Sequence, residues 1–483
     1  VELDRETCFG ALASRDQRFD GRFFVGVVTT GIYCRPICPA RTPRRDRCVF
    51  FARAAEAERE GFRACFRCRP ELAPGAGHVD AIPRLVAAAA ARIEAGYLNE
   101  ASVDDLAAAL GVTSRHLRRA LVSELGVSPV DLAQSRRMAL AKQLLQDTRL
   151  SIAEVALAAG FGSLRRFNAL FRARFDRSPS DVRRAHGDAA APASLVLRLD
   201  YRPPLDWEGL LRFLRARCTA GVEQVEGTSY RRTVRVGARA GWVSVTRDSA
   251  RASLRAEVSL SLAGALMQVV AGLRAVFDLD ARPDAVSAAL GWDPLLAGSL
   301  RADPGLRLPG AFDGFEAATR VVVGQQVSVA AATTLAGRLA AALGDPVETP
   351  FPGLARLSAT PEAIAAAGED RIARLGMPGA RARTLLGLGR AAADGLELHR
   401  GADADAVRAR LAELPGVGPW TREVIAMRAL GAPDAFPAGD LGVLRALGVP
   451  SAREAEARAE RWRPWRAYAV MHLWNTLVKG GGA

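Results

Sequence analysis

The sequence predicts a multidomain, mainly α-helical chain with two α+β segments, and three observations carry that expectation. A length of 483 residues exceeds what one hydrophobic core serves and calls for three or four domains. Six of the seven cysteines fall before residue 70, which marks a small metal-dependent unit at that end. Beyond about residue 80 the apolar residues recur mostly at helical spacing, broken by one block of strand-like alternation between 195 and 277.

The first unit spans 1–78. Cys34 and Cys38 are separated by three residues, Cys65 and Cys68 by two, and the pairs by 26, a two-knuckle spacing suited to tetrahedral zinc on four thiolates. So small a unit has a thin core, and zinc would supply folding energy. Cys48 in "RRDRCVFF", Cys8 and Cys218 read as core thiols. In 79–186, a helix begins near Ile82. "SVDDLAAALGVTSRHLRRALVSEL" (102–125) then reads as a short helix, a turn at Gly111 and a second helix capped by Thr113 or Ser114. The pattern returns in "SIAEVALAAGFGSLRRFNALFRARF" (151–175) with its turn at Gly160, so two helix-turn-helix motifs are expected.

Small residues around Pro192 make 187–194 a linker. The α+β segment (195–277) should contain strands at "LVLRLDYR", "RTVRVGAR", "GWVSVTRD" and "LRAEVSLSL", with a helix from Trp207 to about Arg217. From about Asp278 to 483 the periodicity is helical, interrupted by the loop "LPGVGPW" (414–420).

The net charge of +14 favours a polyanionic partner, nucleic acid or an anionic membrane surface. Only Lys142 and Lys479 are lysines, so arginine carries almost all of the positive charge. No run of about 18 apolar residues and no charged-then-apolar leader occurs, which predicts a cytoplasmic protein without a membrane partner.

"VGVVTTGIYCRPICPAR" (25–41) followed by "GFRACFRCRPE" (61–71) resembles the methyl-acceptor domain of the Ada proteins, which act in the response to DNA alkylation. The resemblance implies that Cys34, Cys38, Cys65 and Cys68 hold zinc and that Cys34 also accepts a methyl group from DNA phosphotriesters. Zinc keeps such a sulfur deprotonated, and four thiolates leave the centre negative, so ordinary phosphates repel it. Methylating Cys34 would weaken that repulsion and act as a one-use electrostatic switch. Arg41, Arg44, Arg45 and Arg47 are then phosphate contacts, or else a solvated basic face.

The paired motifs, with the ending "SPSDVRR" (178–184), resemble the AraC-type DNA-binding domain over about 80–186. Each second helix would enter the major groove. The candidates are Arg115, Arg118 and Arg119 in the first, and Ser163, Leu164, Arg165, Arg166 and Asn168 in the second.

"LPGVGPWT" resembles the hairpin of the helix-hairpin-helix glycosylases. There Gly416 and Gly418 let the backbone approach a phosphate, and carbonyls on the other side can hold a monovalent cation. Asp440 in "AFPAGDLGV" falls on the family's catalytic carboxylate, or else caps a helix. Trp420 stands where strand-cutting relatives carry a lysine, which implies a monofunctional glycosylase.

"LDWEGLLRFLRAR" (205–217), "LRLPGAFDGFEAATRVVVGQQVSVAAA" (306–332) and "ERWRPWRAYAVMHLW" (460–474) resemble the AlkA-type 3-methyladenine glycosylases, including their N-terminal α+β (TBP-like) domain. Trp420 and Trp474 match pocket aromatics that would stack on a cationic alkylated base, or else are packing residues, and Gln326 matches a wedge residue. Gly439, Val424 and Gln326 depart from the family pattern. No "PCHR" motif occurs, so an O6-alkylguanine transferase half is not expected.

The combined expectation is an Ada-AlkA fusion: a zinc domain, a double helix-turn-helix, the AlkA N-terminal domain and an all-α glycosylase domain. It would act as a monomer on alkylated and promoter DNA at the bacterial nucleoid, with RNA polymerase as a partner. The alternative is a transcription regulator whose C-terminal half only binds DNA.

Overall fold

The computed structural model describes residues 4–75, 83–184 and 194–479. They gather into two units, Val1–Pro203 with Asp248–Ala271, and Pro204–Arg247 with Gly272–Ala483. The boundary expected at 78–79 and nearly all of the linker expected at 187–194 lie outside the described residues.

The first unit opens with helix α1 (Arg5–Ser14), capped by the Asp4 carboxylate. Strands β1 (Phe24–Val27), β2 (Ile32–Cys34), β3 (Cys48–Phe51) and β4 (Arg63–Ala64) form a sheet in the order β3-β1-β2-β4, with α2 (Ala54–Arg59) between β3 and β4. Gly31, at φ +63°, makes the turn from β1 to β2, a conformation that glycine adopts without steric penalty. β2 and β4 run parallel, pairing Ile32 with Arg63 and Tyr33 with Ala64, so the next residues, Cys34 at the end of β2 and Cys65 just after β4, stand side by side.

Next come α3 (Arg84–Glu94), α4 (Val103–Ala109), α5 (Ser114–Leu125), α6 (Pro129–Asp147), α7 (Ile152–Ala158), α8 (Leu164–Phe175) and α9 (Pro179–Arg184). Both expected helix-turn-helix motifs are present as α4-α5 and α7-α8. Their turns hold Gly111 at φ +68° and Gly160 at φ +82°. Thr113, not Ser114, caps α5, and its hydroxyl accepts the His116 amide. Reciprocal Ser102–Asp105 and Ser151–Glu154 boxes start α4 and α7. Leu117, Leu121 and Leu125 on α5, and Phe167, Phe171 and Phe175 on α8, recur every four residues and bury one face of each helix.

The α+β segment runs β5 (Ser194–Asp200), α10 (Trp207–Arg215), β6 (Glu223–Glu226), β7 (Ser229–Val236), β8 (Arg239–Arg247) and β9 (Ser253–Ser259). β5 pairs antiparallel with β9 in the first unit, from Ser194 opposite Ser259 to Asp200 opposite Ser253. β6, β7 and β8 form an antiparallel meander in the second unit. Strand β6 was not anticipated; its four residues carry no alternation of burial.

Helices then follow as α11 (Leu266–Val276), α12 (Pro283–Leu290), α13 (Pro294–Ala302), α14 (Gly314–Val323), α15 (Val329–Leu343), α16 (Pro361–Ala367), α17 (Glu369–Ala373) and α18 (Gly379–Ala393). The last are α19 (Ala404–Ala412), α20 (Pro419–Arg428), α21 (Leu441–Leu447), α22 (Ala452–Ala459) and α23 (Arg466–Lys479). Helical structure therefore begins near Leu266 rather than at Asp278. Among the described residues no helix is long and apolar enough to cross a membrane.

Candidate active sites

The parallel pairing of β2 with β4 brings the two cysteine pairs together. The sulfurs of Cys34, Cys38, Cys65 and Cys68 lie within 4.8 Å of one another, close to the S···S edge of about 3.8 Å that Zn–S bonds of ~2.3 Å impose on a tetrahedron. Cys34, Cys38 and Cys68 are buried and Cys65 is partly exposed, while Cys48 packs against them as a core thiol.

The protonation balance of the four also fits a divalent ion. Donating to Cys38 and Cys65 holds the proton on Cys34 and pushes its thiol far up, whereas hydrogen bonds from Cys34, Cys38 and Cys68 pull Cys65 down. Cys38 is lowered to about 7, chiefly by its hydrogen bond with Cys34. Cys65 and Cys38 are thus favoured as thiolates while Cys34 and Cys68 keep their protons, a competition that a bound cation removes.

Backbone amides mark the sulfurs unequally. Arg35 N donates to Cys68 Sγ at 3.4 Å and Arg67 N to Cys65 Sγ at 3.3 Å, and the Ala40 amide lowers Cys38. Such hydrogen bonds stabilise the charge on a thiolate and blunt its attack.

Arg41, Arg44, Arg45 and Arg47 are all exposed on the same unit. Arg44 and Arg45 line an open depression of about 730 Å³ with Arg5 and Asp46. The pairs of Arg44 and Arg47 with Asp46, at 3.4 and 3.5 Å, are solvent-exposed and weak, so these guanidiniums remain available to phosphate. Arg115, Arg118 and Arg119 on α5, and Arg165, Arg166 and Asn168 on α8, are exposed opposite the buried faces. The Ser163 hydroxyl is already engaged as the α8 cap, accepting from Arg166 N, whereas Leu164 is 44% exposed.

In the second unit, Asp440 caps α21 and also does more. Its Oδ1 accepts Val443 N at 3.1 Å and Trp474 Nε1 at 2.9 Å, and its Oδ2 accepts Trp420 Nε1 at 3.0 Å. The two tryptophans expected to stack on a base therefore also aim the carboxylate. The sequence did not disclose this, because the three residues converge only when α20, α21 and α23 are in place. Arg217 was also missed. Its guanidinium lies 3.8 Å from the Phe213 ring centroid, and burial lowers it to about 10, with repulsion from Arg320 adding and the charge of Asp440 opposing. Val424 is buried and Gly439 exposed.

The hairpin is joined to the loop that carries Gln326, the residue expected as a wedge. Gly416 sits at φ +85°, and a Cβ there would lie 2.1 Å from Thr384 Oγ1, so glycine is required by the protein's own packing as well as by any phosphate. Gly418 caps α20 at φ −80° and faces open space. Gln326 is exposed at φ +55°, in the loop between α14 and α15. Its neighbour Gln325 donates through Nε2 to the Gly416 carbonyl and to Thr421 Oγ1, both at 2.9 Å. The Arg381 guanidinium donates to the Gln325 carbonyl.

Four family models match in succession. The metal binding domain of Ada covers 7–71 and a helix-turn-helix domain covers 106–185. The AlkA N-terminal domain covers 196–313, and the HhH-GPD superfamily of base excision DNA repair proteins covers 319–466. The probable bifunctional transcriptional activator/DNA repair enzyme AlkA of Mycobacterium tuberculosis is 43% identical over 484 residues, spanning 98% of this chain and 97% of that one. The chain belongs to this AlkA bifunctional family. Within the family resemblance, DNA-3-methyladenine glycosylase 2 of Escherichia coli K12 is 37% identical over 279 residues, covering 58% of this chain and 96% of its own. The 3-methyladenine DNA-glycosylase from Archaeoglobus fulgidus shares the fold over 58% of this chain and 98% of its own, with a TM-score of 0.52 at 24% identity.

Proposed function

We propose that this chain senses and repairs DNA alkylation, as a methylphosphotriester acceptor and transcription activator joined to an alkylbase glycosylase. The observation that carries the reading is that the match to the bifunctional relative runs over 98% of the chain, with the four-cysteine cluster and the Asp440 site both present.

In the first reaction a Cys34 Sγ lone pair attacks the methyl carbon of a phosphotriester. The S–C bond forms, the C–O bond breaks, and a phosphodiester anion leaves, so Cys34 ends as a thioether and acts once. Cys34, Cys38, Cys65 and Cys68 would hold zinc, whose charge would keep the acceptor sulfur ionised at neutral pH. Loss of one negative charge from the centre then lets the Arg41–Arg47 surface approach the backbone more closely. With α5 and α8 in successive major grooves, promoter binding strengthens and RNA polymerase is recruited.

In the second reaction an alkylated purine leaves the stack, Gln326 occupies the gap, and the base lies against the Trp420 and Trp474 rings. As the C1′–N bond breaks the base departs with the bonding electrons. The Asp440 carboxylate, aimed by two indole N–H groups, stabilises the sugar cation, and water adds to C1′ with loss of a proton. Trp420 offers no amine for a Schiff base, so the strand is left uncut. The hairpin would grip phosphate with its amides, and its carbonyls would hold a monovalent cation. The protein acts as a monomer at the nucleoid.

The test is peptide mass spectrometry of zinc-loaded protein after exposure to methylated duplex DNA, together with an assay for released methylpurine. One methyl on Cys34 and free 3-methyladenine are expected. Binding of alkylated DNA by the wild-type protein without release of methylpurine would favour the reading that the C-terminal half only binds DNA, with Asp440 serving as the α21 cap, whereas an Asp440→Asn variant that released base at the wild-type rate would take Asp440 out of the chemistry.

A further inference from the structure

The residue after Cys34 is gripped from beyond the linker. Arg35 is 2% exposed; its Nε and Nη2 pair with the Asp20 carboxylate, and its Nη1 donates to Asp200 Oδ2 at 2.8 Å and to the Cys68 carbonyl at 3.3 Å. Asp200 lies at the end of β5, inside the span matched by the AlkA N-terminal domain and 165 residues from Arg35. It is itself 7% exposed, and it also accepts Arg198 Nε at 2.8 Å and Nη2 at 3.1 Å. Two residues on, Arg202 is 2% exposed and donates to the carbonyls of Asp20 at 2.9 Å, Gly75 at 2.7 Å and Pro74 at 3.4 Å.

Asp20, Arg35, Asp200 and Arg198 thus form a linked set of two carboxylates and two guanidiniums. Buried ion pairs of this kind add little stability over apolar packing, because desolvation offsets the attraction. What they do supply is a fixed orientation. Arg35 joins the acceptor Cys34 to the loop that carries Cys38, and its own amide is the donor to Cys68 Sγ. A displacement of about 1 Å at a reacting atom can cost ~100-fold in rate.

We propose that Asp200 is a positioning residue of the methyl-acceptor centre: with Asp20 it clamps Arg35 and so fixes the Cys34–Arg35 peptide against Cys68. The proposal rests on Cys34 being the acceptor. It makes methyl transfer depend on a strand that belongs, by sequence, to the glycosylase side of the chain.

The full-length, zinc-loaded protein carrying Asp200→Asn, Asp200→Glu or Arg35→Gln tests it. Single-turnover methylation by methylphosphotriester duplex should slow about tenfold in Asp200→Asn at saturating DNA, with the half-saturating DNA concentration unchanged. Zinc transfer from DNA-free protein to a chromophoric chelator should quicken by about tenfold. Asp200→Glu should recover most of both, and Asp200→Asn should add nothing to Arg35→Gln. Methylpurine release should stay at the wild-type rate in every variant.

Methylation and zinc transfer within twofold of wild type in Asp200→Asn would overturn the clamp while leaving Cys34 as the acceptor. Parallel loss of methylpurine release would also overturn it, since Asp200 would then support the fold at large. No methyl on Cys34 in the wild type would overturn both readings.

Discussion

Three donors converge on Asp440, and each has a separate consequence. Replacing the carboxylate by an amide in Asp440→Asn keeps an oxygen for the Val443 N cap but removes the charge, so methylpurine release should fall by ~10² to 10³ with DNA affinity retained. In Trp474→Phe the ring remains and the bond from Nε1 to Oδ1 is lost; single-turnover rate should drop about tenfold while abasic-DNA affinity holds. His472, on the same helix, is a different case. Burial lowers it to about 4, and its Nδ1 meets Ser299 Oγ at 2.9 Å. The unfolded chain binds this proton near pH 6.5 and the folded chain does not, so stability is complete above that pH and declines as pH falls toward 4. The loss is on the order of 3 kcal/mol, and urea melts of His472→Gln between pH 4 and 7 should show a flatter profile. The identity of Asp440 was legible from its distance to the hairpin. Its two indole partners were not, because they stand 20 and 34 residues away and only helix packing unites them.

Among the elements, the hairpin before α20 leaves no room at Gly416. Gly416→Ala would place a methyl against Thr384 at a positive φ, with an expected cost of about 1 to 3 kcal/mol and weaker binding of abasic DNA. Removing the hydroxyl in Thr384→Ala should recover part of the loss, which thermal melts of the single and double variants would show. On the recognition helices the buried faces were readable as four-residue spacings of Leu117, Leu121 and Leu125 and of Phe167, Phe171 and Phe175. Which exposed arginine reads a base is a separate matter. If Arg166 meets phosphate, Arg166→Ala should lower the slope of log K against log salt by about 1 without changing the preferred site. Short strands resisted reading for a plain reason: β4 has two residues, fewer than one full alternation, and its role is set by its parallel partner β2.

At the scale of the molecule, the two chemistries draw on different units. Cys34, Cys38, Cys65 and Cys68 lie in the first unit, while Trp420, Asp440, Trp474 and Gln326 all lie in the second. Chelation of zinc should therefore abolish methyl uptake and spare methylpurine release, measured on the same sample. The cysteine spacing, the paired helix-turn-helix motifs and the hairpin were legible because each is local, within 35 residues of chain. The gathering of β5 and β9 into the first unit was not, since it depends on contacts such as Arg35 to Asp200 across 165 positions. That membership has a practical meaning for any attempt to divide the protein. The backbone passes from one unit to the other three times, at 203/204, 247/248 and 271/272. A gene cut in the expected linker would release a regulator lacking two of its own strands. It would also release an enzyme carrying two strands that had lost their neighbours. Sensor and enzyme are threaded rather than strung, and inheritance of one without the other would require rebuilding the seam.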